Sequence, residues 1–233
     1  MKALCNFMRQ IVQSLGLSLF LLGACSVTQA EENPYATYYH TQSPAHLHSL
    51  QPHPEPKLFS GKHPNTDNIQ MLEDGYYLMG FSAFDAGDIA PAQAIAHGRN
   101  IQADRILVYV KKAEDQESDE NTQTYHYYAT FWSKLPPAAL GVHVIKLALR
   151  EATRKNEASA PATPSAGVRV IAVIHGSVAE KNGIQRDDQL LSINQEKVED
   201  AASLSTLVRK LKGKTVTVQL QRDGEPLSIQ LSL

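Results

Sequence analysis

The spacing of hydrophobic residues predicts a small folded domain in the middle of the chain. From residue 74 to residue 132 the pattern changes from strand-like to helical and back to strand-like. This order of strand, helix, strand and strand predicts that residues 67–135 form a small α+β domain. The four predicted elements are Tyr76–Phe84, Pro91–Gln102, Ile106–Val110 and Tyr125–Trp132.

The last hundred residues show strand-like runs that predict a second domain, residues 137–233. Five or so strands and two helices are enough to form a small, partly closed β-barrel around one core. Asp200 can cap an amphipathic helix from Ala201 to Leu211, and two alternating runs flank a turn at Arg222–Glu225. The sequence also predicts a short helix over Leu147–Lys155, and a segment rich in alanine and proline at Ala158–Ser165 then interrupts the pattern of strands and helices. The fold class predicted for the whole chain is therefore α+β.

The segment before these domains shows neither helical nor strand periodicity. It is rich in proline, histidine and small polar residues, which predicts a disordered tether over residues 25–66. His46 and His48 could offer two imidazoles to a metal ion, but no carboxylate or thiolate accompanies them. We expect no metal site and no cofactor.

The N-terminus has the pattern of an export signal over residues 1–24. Lys2 and Arg9 precede an apolar run that is too short to span a membrane. The run ends in Leu22-Gly23-Ala24-Cys25, which resembles the lipobox of bacterial lipoproteins and implies cleavage before Cys25 and a lipid on that residue. Cleavage after Ala30, which would release a soluble periplasmic or secreted protein, is the alternative.

The cysteine content agrees with export. Cys5 lies inside the predicted signal, so an acylated Cys25 would leave the mature chain without a free thiol. Similar lipoproteins stay at the inner membrane when an aspartate follows the cysteine, whereas this chain has Ser26. We therefore expect a lipid-anchored protein that faces the periplasm at the outer membrane.

The predicted second domain carries a recognisable order of residues. A Gly-Ser-x-Ala sequence is followed by a Gly-apolar turn, an aspartate, and an apolar strand that ends in asparagine. This order resembles the PDZ domains of bacterial periplasmic serine proteases of the high-temperature-requirement type. The family usually has glycine where Asp187 and Gln195 stand here. The matching residues are Gly176, Ser177, Ala179, Gly183, Asp188 and Asn194.

The resemblance implies a peptide-binding groove. In the family, backbone N–H groups of one loop hold the C-terminal carboxylate of a peptide, and the strand beyond the loop pairs with the peptide. An alternative is an occluded groove, over which the interruption at Ala158–Ser165 would lie. The implied peptide-binding residues are Leu140, Gly141, Val142, His143 and Val144 on the loop and strand, and Ala201, Ser205 and Val208 on the helix.

Composition and length argue against two other functional classes. The net charge of −2 provides no basic surface for nucleic acid. The roughly seventy residues before the second domain are too few for a two-barrel serine protease, and no Gly-x-Ser-x-Gly or His-Glu-x-x-His motif is present. We therefore expect no enzymatic activity.

Two functional hypotheses remain open. In the first, the protein is an envelope adaptor, scaffold or sensor. Its second domain binds C-termini or extended segments of envelope proteins and hands them to partners such as an envelope protease. In the second, it is a structural lipoprotein whose α+β domain makes the main contact.

Overall fold

Two β-sheets organise the chain, and each packs against its own hydrophobic core. The structure is a computed structural model that describes residues 32–42, 48–113, 123–136, 138–147 and 167–233. Residues 33–233 form one compact unit that contains both sheets. Helices and strands are numbered below in chain order.

The first sheet has five strands in the order β1-β3-β5-β4-β2. Strand β2 runs parallel to β4, and the other neighbours are antiparallel. The predicted order of strand, helix, strand and strand is confirmed by β3, α3, β4 and β5. The elements are α1 (Pro34–Thr37), β1 (Tyr39–Thr41), β2 (Lys57–Ser60), α2 (Pro64–Glu73), β3 (Tyr76–Ala86), α3 (Pro91–Asn100), β4 (Arg105–Lys112) and β5 (Tyr125–Lys134).

The structure differs from the disordered tether predicted over residues 25–66. Strands β1 and β2 form the two edges of the first sheet, and α2 begins within the predicted tether. The side chain of Tyr35 is fully buried, its ring lies 5.0 Å from that of Phe84, and its carbonyl accepts a hydrogen bond from Ser82 at 2.7 Å. Residues 25–31 and 43–47 lie outside the described residues.

The prediction of a disordered tether was wrong for these edge strands because their sequences show no hydrophobic periodicity. Each has only three or four residues and mostly exposed side chains, so its order comes from backbone hydrogen bonds to a neighbouring strand. The few side chains that are buried, including Pro54 and Pro56, are scattered along the segment.

Helix α3 contributes a buried histidine to the core of the first domain. The ring of His97 lies 4.8 Å from that of Tyr39 and 4.9 Å from that of Phe131. Among the described residues no hydrogen-bond partner contacts its Nε2 atom. Burial lowers the pKa of His97 to about 4, because the charged imidazolium would lose its hydration.

We expect His97 to make the protein less stable in acid. Folding lowers the pKa of His97, so the unfolded chain binds a proton at this residue more tightly than the folded chain does. The free energy of unfolding therefore keeps its full value above pH 6.5 and decreases as the pH falls from 6.5 to about 4. Urea unfolding at pH 7 and pH 4.5 should show a loss of about 2 kcal/mol from this group, and His97→Leu should remove that part. The exposed His53→Leu is the matched control. An unchanged pH dependence in His97→Leu would contradict the expectation.

The second sheet has the order β11-β10-β8-β7-β6, with the short β9 paired to β8, and all its pairs are antiparallel. The predicted partly closed barrel is confirmed. Residues 148–166, which hold most of the predicted short helix and the interruption at Ala158–Ser165, lie outside the described residues. The elements are β6 (Val142–Lys146), β7 (Val168–Val173), α4 (Val178–Lys181), β8 (Gln189–Ile193), β9 (Glu196–Lys197), α5 (Ala201–Lys210), β10 (Thr215–Arg222) and β11 (Glu225–Ser232).

Helix α5 begins and packs as its sequence predicts. The side chain of Asp200 accepts a hydrogen bond from the Ser203 N–H at 2.8 Å, and Ser203 Oγ accepts one from the Asp200 N–H at 3.0 Å. This reciprocal capping box satisfies backbone donors at the start of the helix. The apolar face of this amphipathic helix packs on the core of the second domain, where Leu204, Leu207 and Leu211 are all buried.

A buried ion pair connects the turn before β8 to β10. The carboxylate of Asp188 is fully buried and accepts two hydrogen bonds from Arg222, at 2.7 and 2.8 Å. The backbone N–H of Gln185 donates to the same carboxylate at 2.8 Å, and Arg222 also donates to the Gly183 carbonyl. The bidentate geometry and the extra donor compensate the carboxylate for its lost hydration.

Candidate peptide-binding site

Strand β6 lies at the edge of the second sheet and pairs with β7 on one side. Val142 is opposite Val173, and the Ile174 N–H donates to the Gly141 carbonyl at 2.9 Å. In antiparallel geometry this makes Val142 and Val173 a non-hydrogen-bonded pair, so the backbone groups of Val142 point to the outer edge. No other strand of the described residues pairs with that edge. It can therefore accept an added strand.

The loop before β6 is held against the start of α4. Leu140 is 2% exposed and belongs to the core, and its carbonyl accepts the Ala179 N–H at 2.9 Å. Gly141 has a φ of +84°, and a Cβ at this position would lie 2.2 Å from Ser177 Cβ. Only glycine combines this conformation with this contact. Successive N–H groups fixed in such a turn form a concavity that suits an anion.

The side chains of β6 divide between its two faces. Val142 and Val144 are half-buried and pack against the core of the second domain, beside the outer edge. The side chain of His143 points to the first domain, where its ring lies 4.7 Å from that of Tyr77. Burial lowers the pKa of His143, and a hydrogen bond to the Leu72 carbonyl opposes that shift. The structure thus places His143 behind the candidate groove.

Helix α5 lies beside β6 and supplies the other predicted wall. Ala201 and Ser205 are exposed, and they stand one helical turn apart on the same side. Val208 is 7% exposed and belongs to the core cluster together with Leu204 and Leu207, so it lies deeper than the other two. The structure brings together the predicted loop, strand and helix.

The first domain also contributes to this region, which no motif in the sequence indicates. The C-terminal end of α2 and the start of β3 contact β6 and the segment after β7. A cavity of about 150 Å³ between the domains is lined in part by Tyr77, Lys134 and Ser177. Two of these contacts are hydrogen bonds to backbone carbonyls, which any residue possesses, so no sequence signal marks them.

Residues 138–233 match the family model of the PDZ domain. The C-terminal part of this chain is a PDZ domain. The match begins just before the loop at Leu140 and Gly141 and covers the sheet from β6 to β11. The predicted family is therefore confirmed for this part of the chain. PDZ domains bind an extended peptide as an additional strand at an exposed sheet edge.

Solved structures similar to the chain include an HtrA3 PDZ domain, a serine endoprotease and an HtrA-type protease. The HtrA3 PDZ domain bound to a phage-derived ligand is 14% identical, with a TM-score of 0.31, over 54% of this chain and 86% of that chain. A serine endoprotease from Yersinia pestis is 25% identical, with a TM-score of 0.28, over 28% and 25%. The HtrA-type protease AlgW with a decapeptide is 14% identical, with a TM-score of 0.32, over 52% and 40%.

The chain thus spans less than half the length of the two proteases. No curated protein sequence matches it. Within the part of the chain that the structure describes, no group of three or more histidine, cysteine, aspartate or glutamate residues could hold a metal ion. None of the helices in that part is long and apolar enough to cross a membrane.

We expect Gly141 to tolerate alanine less well than another glycine of similar conformation. Gly176 has a φ of +75° with nothing within 4 Å of an added Cβ, so Gly176→Ala carries the conformational cost alone, about 1 kcal/mol. Gly141→Ala must also displace Ser177, and should lower the free energy of unfolding by about 2 kcal/mol or more. Urea unfolding of both variants checks this. Equal losses would show that the Ser177 contact is easily relieved.

Proposed function

We propose that this protein is a non-enzymatic envelope protein whose PDZ domain binds C-terminal or extended segments of other envelope proteins. It would act as an adaptor, scaffold or sensor, and its partners could include an envelope protease. The main support for the proposal is that the outer edge of β6 is not paired with another described strand. This edge lies beside α5 and continues from the Gly141 loop.

Two kinds of interaction would hold such a peptide. Main-chain hydrogen bonds to β6 would be independent of the peptide sequence, whereas the side chains beside the groove would select it. A C-terminal carboxylate would add charge-assisted hydrogen bonds from the N–H groups of the Gly141 loop. Val142 and Val144 on the strand favour an apolar residue at the end of the peptide.

The non-enzymatic part of the proposal is supported by the two histidines within residues 67–135. His97 is buried among aromatic rings, and His126 is exposed and paired with Asp85. Among the described residues, neither is hydrogen-bonded to a serine or cysteine, and no cluster of side chains there could hold a metal ion. The matched family model, moreover, is that of a binding domain.

A second candidate is the structural lipoprotein whose first domain makes the main contact. One face of the first sheet carries a row of rings that crosses four strands, with centroid distances of 5.3, 5.8 and 5.6 Å between neighbours. This row, formed by His40, Phe81, Tyr128 and Tyr109, favours a contact of the first domain with a partner. In this case the PDZ groove would be occluded.

The first test is a titration of the full chain with labelled peptides that end in apolar residues. Each peptide is prepared with a free and with an amidated C-terminus, and binding is followed by fluorescence anisotropy. We expect micromolar binding to the free form, and at least about tenfold weaker binding to the amide, because the amide removes the charge that the loop would hold. Equal binding would indicate recognition of internal segments, and no binding would favour the structural lipoprotein.

The position of the groove is tested by a bulky residue on α5. We expect Ser205→Trp to weaken peptide binding at least about tenfold, because the indole would fill the space between α5 and β6. Thr206→Trp adds the same residue at the next exposed position, about 100° around the helix, and should bind peptide as the wild type does. Equal affinities of the two variants would place the peptide elsewhere.

We also propose that Cys25 carries a lipid that anchors the protein in the envelope, with Ser26 consistent with the outer membrane. The motif Leu22-Gly23-Ala24-Cys25 supports this. We expect the intact mass of the detergent-extracted protein to equal that of residues 25–233 plus the acyl groups, and Cys25→Ser to leave the membrane fraction. A mass that corresponds to a chain starting at Glu31 would contradict the proposal and indicate cleavage after Ala30.

A further inference from the structure

The two domains meet directly behind the candidate groove. The Glu73 carbonyl at the end of α2 accepts the His175 N–H at 2.9 Å. The preceding amide, that of Ile174, donates to the Gly141 carbonyl at the same distance. Two consecutive N–H groups of one PDZ segment therefore form these bonds, one to the first domain and one to the Gly141 loop.

The same segment also holds the Gly141 loop through a close packing contact and a further backbone hydrogen bond. Two residues after His175, Ser177 lies against Gly141, where a Cβ would come within 2.2 Å of Ser177 Cβ. Ser177 Oγ accepts the Glu180 N–H at 3.2 Å and begins α4, and the Ala179 N–H donates to the Leu140 carbonyl. A shift of residues 174–179 would therefore move the loop with it.

A second connection reaches β6 itself. His143 stands between the two valines that flank the outer edge, and its side chain extends the other way. There it contacts the Tyr77 ring at 4.7 Å and the Leu72 carbonyl. Strand β6 thus has the candidate groove at its outer edge and the first domain against one face.

We infer that the first domain positions the peptide site, so that Tyr77 and the end of α2 determine how tightly the PDZ groove binds its peptide. This inference rests on the proposed function. The first domain would hold β6 and the Gly141 loop in the binding conformation, which reduces the ordering cost of peptide capture. Because coupling between sites is reciprocal, bound peptide would in turn stabilise the contact between the domains.

The test compares two aromatic truncations in the full chain. Tyr77→Ala removes the ring against His143, whereas Tyr125→Ala removes a half-buried tyrosine whose ring contact is with Tyr127 of the first sheet. With the free-carboxylate peptide, we expect the Kd to rise about fivefold to tenfold for Tyr77→Ala and less than about twofold for Tyr125→Ala. Circular dichroism and thermal unfolding report whether each variant is folded.

A measurement on the wild-type chain does not depend on the folding of a variant. We expect saturating peptide to slow hydrogen exchange at the His175 amide, which bonds to Glu73 across the domain boundary. Wild-type affinity in folded Tyr77→Ala, or unchanged exchange at His175 on peptide binding, would overturn the inference and leave the proposed function standing. Failure of the wild-type chain to bind any peptide would overturn both.

Discussion

The close contact between Gly141 and Ser177 is the constraint on which the candidate site depends. It sets the loop before β6 directly against the first residues of α4, at a distance that leaves no space for a side chain. The backbone bonds from Ile174 and Ala179 then fix the carbonyls of the loop, so the N–H groups of the loop take a defined orientation. A preorganised turn of this kind holds an anion without first paying the entropy of ordering.

The rest of the PDZ domain tolerates unusual residues where the fold needs tight turns. Asp187 and Gln195 have φ values of +72° and +70° at positions where the resembled family usually has glycine. Each such conformation costs about 1 kcal/mol for a residue with a side chain. The turn at Asp187 is held by its neighbour Asp188, whose buried ion pair with Arg222 keeps the chain in place. The two turns thus form in this chain without glycine.

The sequence was sufficient to predict the PDZ fold, because the order of residues that resembles the family includes Gly176, Gly183 and Asn194. All three adopt positive φ angles, which tight turns require and few residue types tolerate. It also predicted β3, α3, β4 and β5, whose apolar runs are long. It failed for β1 and β2, which are too short to show a period. The placement of His143 was equally hidden, since alternation along a strand indicates two faces and does not say that a second domain covers one of them.

The edge of β6 also has a consequence for self-association. A row of backbone groups that can accept a peptide can equally accept the same strand of another copy, which is a common route to aggregation. Three features of the described chain oppose this. The strand has only five residues, it ends in the charged Lys146, and a register shift in its pairing with β7 interrupts the regular ladder. A short, charged and irregular edge discriminates between a flexible guest, which can adapt to it, and a rigid strand, which cannot.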